Sequence, residues 1–123
     1  MDTPPLVGID LVEPERLAER LQGNPALGPT LFTDQEQAYC DAQHRPEEHL
    51  AARFCAKEAV IKALGIDGWD PLDVEIMGGG PEVYVRLHGD VAAVAVELGV
   101  IVTVSMTHLA SLAGAIAMAR TVD

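Results

Sequence analysis

The segment HLAARFCAKEAVIKALG, His49 to Gly65, decides the fold. It reads as the main part of a long helix running from about Pro46 to Leu64, with a proline at its first turn and a glycine at its stop. At about 100° per residue, Leu50, Phe54, Val60, Ile61 and Leu64 form one apolar stripe, and Arg53 and Lys57 fall inside that stripe. Cations in a core-facing stripe need anions. Both lysines of the chain, Lys57 and Lys62, lie here with one of its six arginines. In so acidic a protein that concentration reads as an anion site; equally, Arg53 and Lys57 could snorkel or pair with carboxylates.

Outward from the helix, the chain before it holds a short apolar strand, Leu6 to Val12, and a helix from about Pro14 to Gln22 with Leu17 and Leu21 on one face. Gly23 to Pro29 reads as a loop. Thr33 caps a short helix, and Glu36 three residues on completes a capping box. Beyond Gly65 the period changes. Leu72 to Met77 and Glu82 to Leu87 read as strands joined by the turn Gly78 to Pro81. Gly89 to Leu98 reads as a helix closed by Gly99. Val100, Val102, Val104 and Met106 then alternate with Thr103, Ser105 and Thr107. Leu112 to Arg120 pairs back through a hairpin turning near His108 to Ser111. The expected fold is α+β, a mostly antiparallel sheet with helices on one side and the long helix packed against it.

With 123 residues, 49% hydrophobic and 22% charged, the chain is expected to form one globular domain over residues 1–123 and not a disordered or collagen-like chain. Aromatics are only 4%, so the core must be Val, Leu, Ile and Ala, and neighbouring subunits offer a way to bury more. Eight basic against nineteen acidic residues give a net charge of −11, which argues against nucleic-acid and membrane partners. Cys40 and Cys55 read as reduced thiols. The segment Met1 to Val12 has no basic start and carries Asp2 and Asp10, unlike a signal peptide. The apolar run Val100 to Ala119 is too interrupted by polar residues to span a membrane. The expectation is a soluble, cytoplasmic protein.

Three further residues bear chemistry. Glu58 and Lys62 are spaced i, i+4, which is an ordinary helix pair unless something joins them. Asp10, at the end of an apolar strand, must be solvated, paired or bound to a metal. One Asp plus one Glu, with phosphate oxygens and waters, is the sparse ligand set that Mg²⁺ takes; a pairing of Asp10 with Arg53 explains the residue equally well. His108 is either a satisfied surface histidine or a hydrogen-bond donor to a phosphate. No Walker loop, dinucleotide-binding glycine pattern, paired-cysteine metal motif or nucleophile elbow is present, and Asp2, Asp10 and Glu13 are too scattered for a calcium loop.

The blocks GIDLVEPERL from Gly8, FTDQEQAYC from Phe32, LAARFCAKEAVIKALG ending at Gly65 and SMTH from Ser105 closely resemble the holo-acyl-carrier-protein synthase family of 4′-phosphopantetheinyl transferases. Their order and spacing fit from about residue 6 to 118. The resemblance implies the phosphopantetheinyl transferase fold and a Mg²⁺-dependent enzyme. Such an enzyme moves 4′-phosphopantetheine from coenzyme A to a serine of an apo acyl carrier protein and releases adenosine 3′,5′-bisphosphate.

By the resemblance, Asp10 and Glu58 are the metal ligands and catalytic residues. Lys62 is the third catalytic residue and stabilises the departing phosphate. Arg53, Lys57, Lys62, Gly65 and His108 bind coenzyme A. The serine proton goes to a metal-bound water or to Glu58. Arg16, Leu17, Arg20 and Leu21 on the first helix match the surface that docks the carrier, although Glu13, Glu15 and Glu19 share that helix. The short members of this family are homotrimers with active sites between subunits, so Asp10, Glu58, Lys62 and His108 are expected to converge near a subunit boundary. The chain departs from the family pattern at the turn Gly78 to Pro81, where a lysine is missing. It also has a short connection after Gly65 and the variants Cys55 and Met106. The competing expectation is a binding module that holds coenzyme A or a carrier without catalysis.

Overall fold

Alanine and glycine set how closely the long helix lies on the sheet. The computed structural model describes residues 6–122; Asp2 and the rest of the first five residues, and Asp123, lie outside the described residues. Strands β1 (Leu6–Val12), β4 (Val100–His108) and β5 (Ala113–Thr121) form an antiparallel sheet in the order β1-β5-β4. Every second residue of β5, Ala113, Ala115, Ala117 and Ala119, is buried. Helix α4 (Pro46–Leu64) packs on β1 and β5 and carries its own buried Ala51, Ala52, Ala56, Ala59 and Ala63. Small side chains on both partners let the backbones approach. The closest point is Gly8, where a Cβ would run into the Ala59 carbonyl and the Ala63 amide.

The remaining helices are α1 (Pro14–Gly23), α2 (Leu27–Leu31), α3 (Asp34–Asp41) and α5 (Gly89–Leu98). Both α1 and α3 pack on α4, as does a second, two-stranded antiparallel sheet of β2 (Val74–Met77) and β3 (Tyr84–Leu87). So α4 is buried nearly all round, and not along a single stripe. The capping box forms as the sequence requires: Thr33 Oγ1 accepts from the Glu36 amide at 3.2 Å and the Thr33 amide donates to Glu36 Oε1 at 2.9 Å. Gly65 closes α4 in the left-handed region at φ 69°.

Three elements differ from expectation. Helix α2 occupies part of the segment read as a loop, because Pro29 falls within its first turn, where proline costs no hydrogen bond. The second hairpin forms its own sheet and does not extend the first. Its strands begin two residues late, because Pro71 and Pro81 wind the expected starts into 3₁₀ turns over Pro71–Asp73 and Gly80–Glu82.

The outer face of the β1-β5-β4 sheet is apolar and uncovered. Val7, Ile9 and Leu11 on β1, Ile101 on β4, and Ile116 and Met118 on β5 are exposed, Ile9 at 63%. Among the described residues no helix is long and apolar enough to cross a membrane.

Candidate active site

Alternation along β1 turns Gly8 and Asp10 towards α4 while Ile9 and Leu11 face outwards. Asp10 therefore meets the last turns of α4, where Lys62 Nζ donates to Asp10 Oδ1 at 3.1 Å and to the Ile9 carbonyl at 3.0 Å. Lys62 thus pairs with the strand and not with Glu58, and Asp10 pairs with Lys62 and not with Arg53. Glu58 lies within reach of the same charges. Burial first, and the Asp10 charge second, push its carboxyl above the usual range, with Lys62 opposing. Burial likewise pushes the Cys55 thiol up to about 12, Asp10 and Glu58 adding to it. The cluster is two carboxylates from separate elements with one half-exposed ammonium.

A second cluster lies towards the start of α4. A cleft of about 330 Å³ is lined by His49, Arg53, the turn Gly79 to Pro81, Ser105 and His108, among others. Arg53 is buried, donates to the Gly78 carbonyl, and lies over the Tyr39 ring at 4.1 Å. Its Nε has no hydrogen-bond partner among the described residues, an orphan donor that a bound anion would satisfy. His108 Nδ1 donates to Glu48 Oε1 at 2.9 Å. That hydrogen bond is the main reason the Glu48 carboxyl lies below its usual range; burial opposes it and Arg45 adds to it. Ser105 and Met106 line this cleft, and β5 lies between β4 and the strand that carries Asp10, so the two clusters stand apart on one chain.

Sequence reasoning expects Asp10, Glu58, Lys62 and His108 to converge near a subunit boundary; within one chain only the first three come together. His108 is held by Glu48, ten residues before Glu58 and about 15 Å away along the helix. Lys57, expected at the coenzyme A phosphates, is a structural residue. It is wholly buried, and its ammonium donates to Glu36 Oε1 at 2.7 Å, the Pro71 carbonyl at 2.8 Å and the Val74 carbonyl at 2.6 Å. All three N–H groups are used, so none is left for a ligand. The Gly65 amide donates back to the Lys62 carbonyl at 3.3 Å, so it serves the helix end. On α1, Arg16 and Arg20 are exposed and Leu21 half-buried, whereas Leu17 is buried in the core and meets the adjoining cleft only as part of its floor. Arg16 pairs with Glu13 at 3.4 Å. Arg16, Leu17 and Arg20 line a cleft with Leu11, Phe54 and Leu112.

Sequence reasoning missed Tyr39, Glu48 and His49. The available signal was Glu48 and His49 side by side one turn before Arg53; nothing in the spacing announced that His108, sixty residues later, would join them.

A family model described as the 4′-phosphopantetheinyl transferase superfamily matches residues 6–116. The holo-[acyl-carrier-protein] synthase of Moorella thermoacetica is 46% identical over 119 residues, covering 90% of each chain. That of Streptomyces coelicolor is 42% identical, covering 93% of this chain and 95% of the relative. Among solved structures, the ACPS–CoA complex from Chronobacterium ammoniagenes superposes with a TM-score of 0.86 at 28% identity, covering 98% of this chain and 100% of that one.

Proposed function

The chain belongs to the 4′-phosphopantetheinyl transferase superfamily, and on that premise we propose how its residues perform the reaction of a holo-acyl-carrier-protein synthase. The enzyme transfers the 4′-phosphopantetheine of coenzyme A to an apo acyl carrier protein. A serine hydroxyl attacks the phosphoryl group nearest the pantetheine, and adenosine 3′,5′-bisphosphate leaves.

Asp10 and Glu58 would hold a Mg²⁺ ion. Their fit rests on donor chemistry: two hard carboxylates, with Glu58 held above its usual range by burial and then by the Asp10 charge. One Asp and one Glu form the sparse set that Mg²⁺ accepts when phosphate oxygens and waters complete its shell. A cation held by these two carboxylates would supply charge neutralisation for the diphosphate. The rest of the work belongs to the chain. Among the described residues Lys62 has two of its three N–H groups engaged, which leaves the third to meet the departing phosphate as its charge grows. Gly65 ends the helix one turn on and keeps Lys62 at its rim. Arg53, through its orphan Nε, and His108 hold another phosphate group of coenzyme A.

Arg16, Arg20 and Leu21 are the proposed carrier contacts, above a cleft whose floor includes Leu17. A homotrimer with sites between subunits belongs to the same proposal. The apolar outer face of the three-stranded sheet supports it, as does the separation of the Asp10 and His108 clusters on one chain. Light scattering should then give a mass three times 13.1 kDa. The cytoplasm, where coenzyme A and apo carriers meet, is the proposed setting.

The Lys62–Asp10 pair beside Glu58 is the observation that carries the proposal. The test is mass spectrometry of apo carriers incubated with the protein, coenzyme A and Mg²⁺. The phosphopantetheine increment is expected with the wild type and lost with Asp10→Ala and Glu58→Ala. No increment on any carrier, with coenzyme A still bound, would instead mark a non-catalytic binding module.

A further inference from the structure

Tyr39, His49 and His108 form a short aromatic ladder beside the phosphate cleft. The His49 ring meets His108 edge-on at 4.7 Å between centroids and Tyr39 at 6.2 Å. His49 lines the cleft together with Arg53 and His108, yet no step described above uses it. We propose that His49 takes up a proton from solvent when a phosphate group enters this cleft, so that two imidazoles and Arg53 clamp the anion together. The inference rests on the reading of the Arg53–His108 cleft as a coenzyme A phosphate site.

The surroundings of His49 give the sign. In the free protein, burial, then His108 on β4 and Arg53 on its own helix, hold the imidazole below its usual range. Two carboxylates on α4 oppose them, Glu48 and Glu47. Glu48, however, is already committed to His108 and, at 3.4 Å, to Arg45. From α3 the neighbour is Tyr39, whose phenol is neutral near pH 7. Burial, with His108 and Arg53 behind it, outweighs the two carboxylates and favours the neutral imidazole while the cleft is empty. A phosphate monoester brings close to two negative charges into the same space. That charge offsets His108 and Arg53 and favours the imidazolium. The geometry makes this a shared site: the edge contact fixes His108 from one side while Glu48 holds Nδ1 from the other. Nε2 of His108 and the His49 ring remain as the cleft's adaptable polar groups.

Binding that takes up a proton strengthens as pH falls. The test is calorimetry with adenosine 3′,5′-bisphosphate at pH 7.5, in two phosphate-free buffers of different ionisation enthalpy. Wild-type protein should show buffer-dependent heat that reports net uptake, and its Kd should rise between about threefold and tenfold from pH 7 to pH 8. His49→Phe and His49→Gln should bind more weakly, with the uptake lost and a flatter pH slope. The ring-carbon shift of His49 in labelled protein should move to the charged form on saturation. Equal uptake in both variants and wild type, or none in wild type, overturns the inference and leaves the phosphate reading standing. Absence of any binding by the wild type overturns both.

Discussion

Lys57 and Lys62 are the only lysines of the chain and sit five positions apart on one helix, yet their surroundings are opposite. Lys57 is fully enclosed, its three N–H groups spent on Glu36 and two carbonyls. The same Glu36 accepts from the Thr33 and Ile76 amides, so the region from α3 to β2 is a closed polar network. Lys62 is half exposed, with two partners among the described residues and a third N–H left over, next to a Glu58 carboxyl raised by burial and then by Asp10. A buried charge has to be fully satisfied to be tolerated, whereas a reactive one must not be. Charge count alone did not separate the two lysines; donor accounting does.

The contrast can be broken experimentally, starting on the enclosed side. Lys57→Met strands Glu36 and should cost about 3–5 kcal/mol of stability, read from urea unfolding, with Glu36→Gln recovering part of the loss. An unchanged urea midpoint would mean that the buried pair holds nothing. On the open side the pattern should invert. Lys62→Met and Glu58→Gln should lower kcat/KM for carrier modification on the order of 10²–10³. They should leave stability within about 1 kcal/mol, because a half-exposed pair contributes little. A matching loss of stability would erase the distinction.

A smaller effect is expected at the rim of the enclosed network, where Thr33 both caps α3 and donates to Glu75 Oε2 at 2.7 Å. Thr33→Ala should cost about 1–2 kcal/mol at neutral pH. Burial raises the Glu75 carboxyl, but hydrogen bonds from Thr33 and then His88 outweigh it and leave the group below 4.5. A lowered folded-state value stabilises above the unfolded one and is lost on acidification. So the gap between wild type and Thr33→Ala should be full at pH 7 and narrow below pH 4.5; an equal gap at pH 3 would refute the role of Glu75. The smallest signal comes from the thiols. Cys40 lies near Glu36 and Arg53, and burial pushes it up to about 11; Cys55 near Asp10 and Glu58 is pushed up to about 12. Both are buried and free, so a thiol reagent at pH 8 should modify neither until urea is added. Glu58→Gln should ease the Cys55 shift slightly.

What the sequence disclosed follows from the range of each signal. Local signals worked: the Thr33–Glu36 box, the stop at Gly65 and the hairpin near His108 to Ser111 each depend on neighbours within a few residues. The stripe on α4 is buried as read but is only part of what is buried, because periodicity assumes one wet face and this helix is packed by β1, β5, α1, α3 and β2 over most of its surface. The partner of Lys57 lies 21 positions away in Glu36, and that of His108 lies 60 positions away in Glu48, so neither has a spacing to read. The residues at the Asp10 cluster were legible because GID and AKEA..K are distinctive blocks. The separation of that cluster from His108 was not, because it depends on how far apart two ends of one helix stand.

Gly8 lies two residues before Asp10, at the point where β1 touches α4. The carboxylates of Asp10 and Glu58 are mounted on those two elements, so the hydrogen atom in place of a methyl at position 8 is a shim that sets their gap. A protein can lose activity through such a spacer without losing any reactive group: thickening it by one carbon would leave each functional side chain present and misaligned with its partner.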